Sequence, residues 1–319
     1  RPLGTGGMAV VYQAFDERLE REVAVKVIRI EEFAPSLLER VLQRFEREAK
    51  TLARLNHTNI VPIIDFGQED NLPYLVMPLF QGGTLANFLG APMPAAQAAR
   101  LLTPLADALA YAHGKGVLHR DIKPSNILIN ETGQPMLTDF GIAKLLEGEH
   151  GQTLTGTGVG IGTPEYMAPE QGMGREVDAR ADVYALGVVL YELVTGQKPY
   201  SADTPMAVVI KQINDPLPRP RDLNAAIPEA CEQLLFKALA KEAANRYGKM
   251  EEMRDALSRL AEGRAETASG PLPTAAPESP TMEYFGGEHT VELGTGLKPS
   301  APVMEMPASP YATGVQIPG

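Results

Sequence analysis

Apolar and polar residues alternate along the first third of the chain, with the two-residue period of a β-strand that buries one face. The pattern predicts strands over residues 10–14, 22–30 and 74–77. After the second of these, the period changes to that of an amphipathic helix that begins near Ser36. Its apolar stripe consists of Leu38, Val41, Leu42, Phe45, Ala49, Leu52 and Leu55. We therefore expect a strand-rich first part that contains one helix.

Helical patterns dominate the chain after about residue 95. Residues 182–194 are apolar on nearly all sides, which predicts a buried helix with Gly196 as its C-terminal cap. Pro104 lies inside a helical segment over residues 95–113, where we expect a kink. From residue 263 the helical period disappears, and 9 of the 27 prolines fall in the last 57 residues, which predicts a disordered linker.

Composition narrows the class of protein. The chain has 319 residues, of which 44% are hydrophobic, so it can build a globular core. Its net charge of -11 disfavours nucleic acid or an anionic membrane as the main partner, because both attract basic surfaces. The sequence contains neither a run of 18 apolar residues nor a signal peptide, so a cytoplasmic location is expected. The single cysteine, Cys231, is expected to be a buried, reduced thiol.

The most specific feature is the run His119-Arg120-Asp121-Ile122-Lys123-Pro124-Ser125-Asn126, followed by Asp139-Phe140-Gly141. It spaces two oxygen-bearing side chains, Asn126 and Asp139, around a candidate proton acceptor, Asp121. Either half of the pattern alone would be ordinary turn chemistry. The two halves in this order, with a predicted hairpin over residues 127–138 between them, resemble the catalytic centre of protein kinases.

The resemblance implies a role for each residue of this centre. Asp121 would be the catalytic base, and Lys123 would lie beside the transferred phosphoryl group. Asn126 and Asp139 would hold Mg²⁺. His119 would be a packing element of the catalytic loop.

Residues 3–11 resemble the glycine-rich loop of kinases. The resemblance places Leu3, Gly4, Gly6 and Val11 against ATP, while Ala9 stands where a third glycine is usual. A strand follows this loop, whereas a dinucleotide-binding fold would require a helix. The chain begins at Arg1, so close to this loop that we expect a fragment with a truncated first strand.

Lys26 and Glu48 form a predicted ion pair. In the strand over residues 22–30, Lys26 shares a face with Ala24, and a lysine on a buried face needs an anion. Taken alone, the segment would also suit an edge strand whose lysine reaches solvent. Glu48 follows the apolar stripe of the first helix, where a lone buried carboxylate is costly. We therefore favour Lys26 over Arg44 as the partner of Glu48, as in the kinase Lys–Glu ion pair, and by resemblance Lys26 also contacts the ATP phosphates.

Residues 74–83 resemble the hinge between the lobes of a kinase. The resemblance makes Met77 the gatekeeper, and gives the Pro78 carbonyl and the Phe80 N–H to the adenine edge. Pro78 lacks an N–H but keeps the carbonyl that the adenine amine needs. The apolar residues implied on the two faces of the adenine are Val11, Ala24 and Leu128.

Residues 151–163 are rich in glycine and threonine and resemble an activation loop. We expect autophosphorylation at Thr155 and Thr157, with Arg120 as the cation that contacts the phosphate. A loop that is threonine-rich by composition alone is the alternative. Lys123 and Thr163 resemble their counterparts in Ser/Thr kinases rather than tyrosine kinases, and Thr163 would help to dock the substrate.

Two scaffold contacts are also implied beyond this loop. Glu170 would pair with Arg246, and Asp182 would bond the catalytic-loop backbone.

Together these features resemble the bacterial eukaryote-like serine/threonine protein kinases. The resemblance implies a two-lobed α+β fold, with the kinase domain over residues 1–262 and a linker over 263–319. The domain divides into an N-lobe over about 1–77, a hinge over about 78–83 and a C-lobe over about 84–262. The implied reaction is transfer of the γ-phosphoryl group of ATP, with Mg²⁺ or Mn²⁺, to protein Ser/Thr hydroxyls in bacterial signalling.

Self-association for trans-autophosphorylation is a further implication. Membrane anchoring, as the cytoplasmic part of a receptor kinase, would need a span beyond residue 319. Two other functions are considered. A pseudokinase scaffold is disfavoured because Lys26, Glu48, Asp121, Asn126 and Asp139 are all present. A small-molecule phosphotransferase, such as an aminoglycoside kinase, is disfavoured by the peptide-docking elements around Thr163 and residues 168–170.

Overall fold

The computed structural model describes residues 1–6, 9–29, 35–141 and 164–263. Its strands are β1 (Pro2–Thr5), β2 (Ala9–Asp16), β3 (Arg21–Ile28), β4 (Asp65–Glu69), β5 (Leu72–Pro78), β6 (Ile127–Ile129) and β7 (Pro135–Leu137). Its helices are α1 (Pro35–Leu52), α2 (Ala95–Gly114), α3 (Pro169–Gly172), α4 (Ala179–Thr195), α5 (Pro205–Asn214), α6 (Pro220–Leu223), α7 (Glu229–Ala238) and α8 (Met250–Glu262). The strands of the first part and the helices of the second confirm the predicted two-lobed α+β fold.

The first five strands form one antiparallel sheet in the order β1-β2-β3-β5-β4. The three predicted strands are confirmed as β2, β3 and β5, although β3 ends at Ile28. Val11 of β2 and Leu75 of β5 both pair with Lys26, so this lysine lies on a central strand and the edge-strand alternative is wrong. β4 was not predicted, because its sequence lacks the alternating apolar pattern and it is held by backbone pairing with β5.

Helix α1 packs against this sheet through most of the predicted apolar stripe, whereas Leu55 lies beyond the end of the helix and joins the C-terminal cluster. Val41, Phe45 and Ala49 are buried, while Leu38 and Leu52 are partly buried beside them. The helix begins at Pro35, a residue that is favoured in the first turn because its missing N–H has no intrahelical partner there. The resulting small cluster gives the N-lobe a hydrophobic core of its own.

Helix α4 forms the centre of the larger, C-terminal cluster. Every residue over 181–195 is buried, and the N-cap Asp178 accepts a hydrogen bond from the backbone N–H of Arg180. The helix ends as predicted, because Gly196 adopts a left-handed conformation with φ of 78° and donates its N–H to the Glu192 carbonyl at 2.8 Å. Helices α2, α7 and α8 pack around α4, and α2 continues through Pro104 as one helix.

The predicted hairpin over residues 127–138 is confirmed as β6 and β7. In its turn, the Asn130 side chain accepts hydrogen bonds from the backbone N–H groups of Thr132 and Gln134, at 3.0 and 2.8 Å. Gly133 supplies the positive φ that the turn requires. The turn closes the hairpin and so fixes where Leu128 lies.

The structure also bears on the predictions for Cys231 and for a membrane-spanning segment. Cys231 is completely buried in α7, and burial raises the pKa of its thiol to about 12. In the part of the chain that the structure describes, no helix combines the length and apolarity needed to cross a membrane.

Candidate active site

The loop that precedes β6 is held by the carboxylate of Asp182, in the first turn of α4. Asp182 Oδ2 accepts the backbone N–H of His119, and Oδ1 accepts that of Arg120, both at 2.8 Å. His113 of α2 also lies 2.8 Å from Oδ2 through its Nε2 atom. The predicted contact between Asp182 and this loop is therefore confirmed. It holds Arg120 at a φ of 64°, a conformation that costs a non-glycine residue about 1–2 kcal/mol.

His119 packs behind the loop and is completely buried. Its Nε2 atom donates to the Thr138 carbonyl at 3.0 Å, and its Nδ1 atom accepts from the Asp121 N–H at 3.4 Å. Burial lowers the pKa of this imidazole, so the ring is neutral with its proton on Nε2. It also lies 4.5 Å from the Phe140 ring, between centroids. His119 thus links the segment of Asp121 to that of Asp139.

Asp121, Lys123 and Asn126 form one hydrogen-bonded cluster. Lys123 Nζ and Asn126 Nδ2 donate to Asp121 Oδ2, at 2.8 and 2.9 Å. Asn126 Nδ2 also reaches the backbone carbonyl of Asp121 at 2.9 Å. About a quarter of the Asp121 side chain, 27%, is exposed. The structure thus brings together the proton acceptor Asp121, the cation Lys123 and the amide Asn126, as the sequence motif predicted.

Asp139 lies at a φ of 63° and pairs with Lys26, whose Nζ atom is 2.8 Å from Asp139 Oδ1. The predicted ion pair between Lys26 and Glu48 is wrong for this structure. Glu48 contacts its neighbour Arg47 at 3.2 Å instead. The physical reason is that Asp139 engages Lys26, while Glu48 lies on the flank of the apolar stripe with 20% of its side chain exposed and needs no buried partner there.

The predicted adenine-binding residues of β2, β3, β5 and β6 lie together. Val11, Ala24, Met77 and Leu128 belong to the same apolar cluster, in which Ala24 and Met77 are buried. The segment after Pro78 approaches β6 closely. A Cβ atom on Gly82 would lie 2.2 Å from the Ile129 carbonyl, and Gly83, with a φ of 73°, accepts the Ile129 N–H at 3.0 Å.

The phosphate-loop and regulatory predictions are only partly covered by the described residues. Gly4 lies in β1, and Gly6 follows it and donates its N–H to the Ala9 carbonyl at 2.9 Å. Leu3 is exposed. The predicted phosphorylation sites Thr155 and Thr157, and the docking residue Thr163, lie outside the described residues.

The segment that begins at Pro164 is anchored on the C-lobe. Arg246 forms a two-pronged pair with Glu170, with both N–O distances at 2.7 Å, so the predicted contact is confirmed. Tyr166 donates to Glu192 of α4 at 2.5 Å, and Gln212 of α5 donates to the Pro164 carbonyl at 2.7 Å. This part of the segment therefore has a fixed position relative to α4.

Asn126 and Asp139 suit a magnesium ion. The contacts described above use the nitrogen of Asn126 and one oxygen of Asp139, so the Asn126 amide oxygen and the second Asp139 oxygen are the atoms that would hold the ion. Among the described residues, no group of three or more His, Cys, Asp or Glu side chains could form a metal site by itself. Mg²⁺ requires no such group, because one or two protein ligands, water and substrate phosphates complete its octahedral shell.

Several residues that shape the site were missed by sequence reasoning. The positive φ at Arg120 and Asp139 left no signal, because neither is a glycine. Gln171, whose Nε2 atom donates to the Arg120 carbonyl at 3.2 Å, belongs to no recognised motif. The close approach at Gly82 could have been suspected from the pair of adjacent glycines after the hinge.

Comparison with known proteins agrees with this geometry. The protein kinase domain family matches residues 1–257. The DNA damage-responsive serine/threonine-protein kinase RqkA of Deinococcus radiodurans is 44% identical over 250 residues, which cover 76% of this chain and 36% of RqkA. The serine/threonine-protein kinase PknB of Mycobacterium leprae is 41% identical over 274 residues, which cover 83% of this chain and 43% of PknB. The chain thus spans about two fifths of the length of these relatives.

A solved structure extends the comparison to the fold. The kinase domain of PknI from Mycobacterium tuberculosis superposes with a TM-score of 0.62 and 29% identity. The match covers 82% of this chain and 94% of that domain. From the family match, the relatives and the confirmed catalytic-loop scaffold, it follows that the chain belongs to the protein kinase family, in its bacterial serine/threonine branch.

Proposed function

We propose that this chain is a catalytically active serine/threonine protein kinase domain, over residues 1–262, that transfers the γ-phosphoryl group of ATP to protein hydroxyls. The observation that carries the proposal is the cluster in which Lys123 and Asn126 both bond Asp121 Oδ2, at 2.8 and 2.9 Å. In this arrangement the Asp121 side chain is partly exposed.

The chemistry follows from the charges of this cluster. The Asp121 carboxylate accepts the proton of the attacking hydroxyl group, and the Lys123 ammonium group stabilises negative charge on the transferred phosphoryl group. Lys26 binds the α- and β-phosphates from β3. Asn126 and Asp139 would hold Mg²⁺, or Mn²⁺ in its place, which supplies further neutralisation of phosphate charge. The proposed ATP-binding residues are Leu3, Gly4, Gly6, Val11, Ala24, Lys26, Met77, Pro78, Phe80 and Leu128.

The test is incubation of the purified chain with labelled ATP, Mg²⁺ and a generic protein substrate. Asp121→Asn removes the proton acceptor but keeps the shape, and Lys26→Ala removes the phosphate contact. We expect each to lower the rate of protein labelling by about 100-fold or more. Asp203→Asn and Lys50→Ala are matched controls, because both residues are exposed and lie outside the site, and we expect both to retain the wild-type rate.

The outcome separates three functions. Labelled Ser or Thr in the protein substrate, lost in both site variants, supports the kinase. ATP binding without transfer by the wild-type chain would favour a pseudokinase scaffold. Transfer to an aminoglycoside but not to protein would favour a small-molecule phosphotransferase. The presence of Lys26, Asp121, Asn126 and Asp139 in one site supports the first of these over the second.

We also propose that phosphorylation controls the activity. Phosphorylation of Thr155 and Thr157 by a second copy would activate the chain, with Arg120 as the phosphate contact and Thr163 as a substrate-docking residue. Arg120 directly precedes Asp121, so a phosphate that contacts it would act next to the catalytic base. We propose a cytoplasmic location, where ATP is available. Any receptor function would be a property of the whole protein.

A further inference from the structure

The side chain of Gln171 connects helix α3 with the catalytic loop. Its Oε1 atom accepts the backbone N–H of Ala168 at 3.0 Å. Its Nε2 atom donates to the backbone carbonyl of Arg120 at 3.2 Å. The two ends of one amide therefore join the segment that follows Pro164 to the residue directly before Asp121.

The Arg120 carbonyl belongs to the peptide group that leads into Asp121. Arg120 has a φ of 64°, so this peptide is held against a local conformational preference. Other groups fix the peptides before it: Asp182 accepts the N–H groups of His119 and Arg120, and the Gly141 N–H donates to the His119 carbonyl at 2.9 Å. Gln171 adds a contact to the peptide plane that sets the direction of Asp121.

Gln171 is itself held on a rigid support. Its neighbour Glu170 is almost completely buried and pairs with Arg246, which also donates to the backbone carbonyls of Ala240 and Arg180, at 2.8 and 3.1 Å. A side chain supported in this way can fix a loop to within the few tenths of an ångström that catalysis requires.

We propose that Gln171 is a positioning residue for phosphoryl transfer, whose amide fixes the Arg120–Asp121 peptide and so aims the Asp121 carboxylate at the substrate hydroxyl group. This inference rests on the proposed kinase function. It also makes helix α3 part of the catalytic machinery, because a shift of α3 would move the same peptide.

The test compares Gln171→Met with Gln171→Glu. The first removes both hydrogen bonds at similar side-chain size. The second keeps an oxygen that can accept the Ala168 N–H, but places a second oxygen against the Arg120 carbonyl in place of a donor. We expect kcat for protein phosphorylation to fall roughly tenfold in both, because a misdirected base raises only the barrier of the chemical step. The KM for ATP should stay within about twofold, because its binding groups are untouched.

Gln212→Met is the matched control. Gln212 also donates its amide to a backbone carbonyl of the same segment, that of Pro164, but it does not contact the catalytic loop. A loss of kcat confined to the Gln171 variants supports the proposal. An equal loss in the Gln212 variant would overturn it, because general loosening of the segment would then be the cause.

The thermal stability of the variants and the activity of the wild-type chain are measured alongside. We expect the thermal unfolding midpoint of the Gln171→Glu variant to lie within about 3 °C of that of the wild type. If neither Gln171 variant folds, the side chain is a structural cap and the proposal fails. If the wild-type chain transfers no phosphate, the kinase function itself fails, whereas an active wild type with equally active Gln171 variants refutes only the role of Gln171.

Discussion

Asp182 is 1% exposed, yet its carboxylate meets three hydrogen-bonding groups. Burial by itself raises the pKa of a carboxyl group, but the His113 side chain and the His119 N–H favour the charged form, and the net result is a pKa below the ordinary value of 3.8. The charged carboxylate is therefore part of the folded structure, and its protonation destabilises the fold.

The sign of this effect gives a pH prediction at the residue scale. Because the folded pKa is depressed, the stability that Asp182 contributes is present above about pH 4 and is lost as the pH falls through the folded pKa. Asp182→Asn should lower the free energy of unfolding by about 3 kcal/mol at pH 7, since the amide presents one oxygen to three donors. Below about pH 4, the difference between variant and wild type should shrink.

Urea unfolding of both proteins between about pH 3 and pH 7 measures this difference. Asp203→Asn is the control, because Asp203 is exposed and should leave the acid limb unchanged. A constant difference between Asp182→Asn and wild type across the whole range would contradict the assignment.

At the scale of elements, helix α4 depends on how it ends. Gly196 adopts a left-handed conformation, and a Cβ atom added there would lie 3.2 Å from the ring of Pro92. Gly114, the last residue of α2, has helical conformation and nothing within 4 Å of an added Cβ atom. The same substitution should therefore have opposite effects at these two helix ends.

Gly196→Ala should lower the free energy of unfolding by about 1–2 kcal/mol, because a side chain is strained in the left-handed region. Gly114→Ala should raise it by up to about 1 kcal/mol, because alanine favours the helix. Chemical denaturation of the two variants checks the signs. Destabilisation of equal size in both would show that conformation is not the cause.

The helices and strands also differ in how well the sequence pattern predicted them. Periodicity sufficed for β2, β3, β5, α1 and α4, because each buries one face or all faces of a regular repeat. It could not find β4, whose pairing is a matter of backbone hydrogen bonds. It also misplaced Glu48, because helical spacing gives the direction of a side chain only to within the width of the apolar stripe, and at its flank solvent competes with a buried partner.

At the scale of the whole molecule, each lobe has its own hydrophobic cluster, and Leu52 of α1 packs against both. Motif spacing identified Lys26 and Asp139 as site residues, but the partner predicted for Lys26 was Glu48 of the same lobe. It could not predict the partner that Lys26 chooses, since that depends on the relative position of the lobes. The Lys26–Asp139 pair now connects β3 with the segment that follows β7.

Trans-autophosphorylation is the prediction that concerns two whole molecules. If one copy phosphorylates another, wild-type protein mixed with the inactive Lys26→Ala variant should label that variant at Thr155 and Thr157. The variant lacks its own phosphate contact, so label beyond that of the variant incubated alone comes from its partner. Phosphopeptide mapping of the separated variant measures the transfer. Thr155→Ala/Thr157→Ala in the Lys26→Ala background should lose the label, whereas Thr153→Ala should keep it.

Label confined to the wild-type copies would contradict transfer between molecules and favour a reaction within one chain. Label on the inactive variant that persists without Thr155 and Thr157 would place the sites elsewhere. A labelling rate per molecule that rises with protein concentration would be the accompanying sign of an encounter between copies.

Cys231 has a consequence for experiments on this domain. It is the only cysteine of the chain, it is fully buried in α7, and its thiol has a pKa of about 12. Only the thiolate reacts with maleimides, so this site is chemically silent near neutral pH. A cysteine introduced at exposed Asp203, or one in each lobe, would therefore accept a fluorophore without removal of the natural thiol. The native sequence thus already provides the background for distance measurements between the lobes.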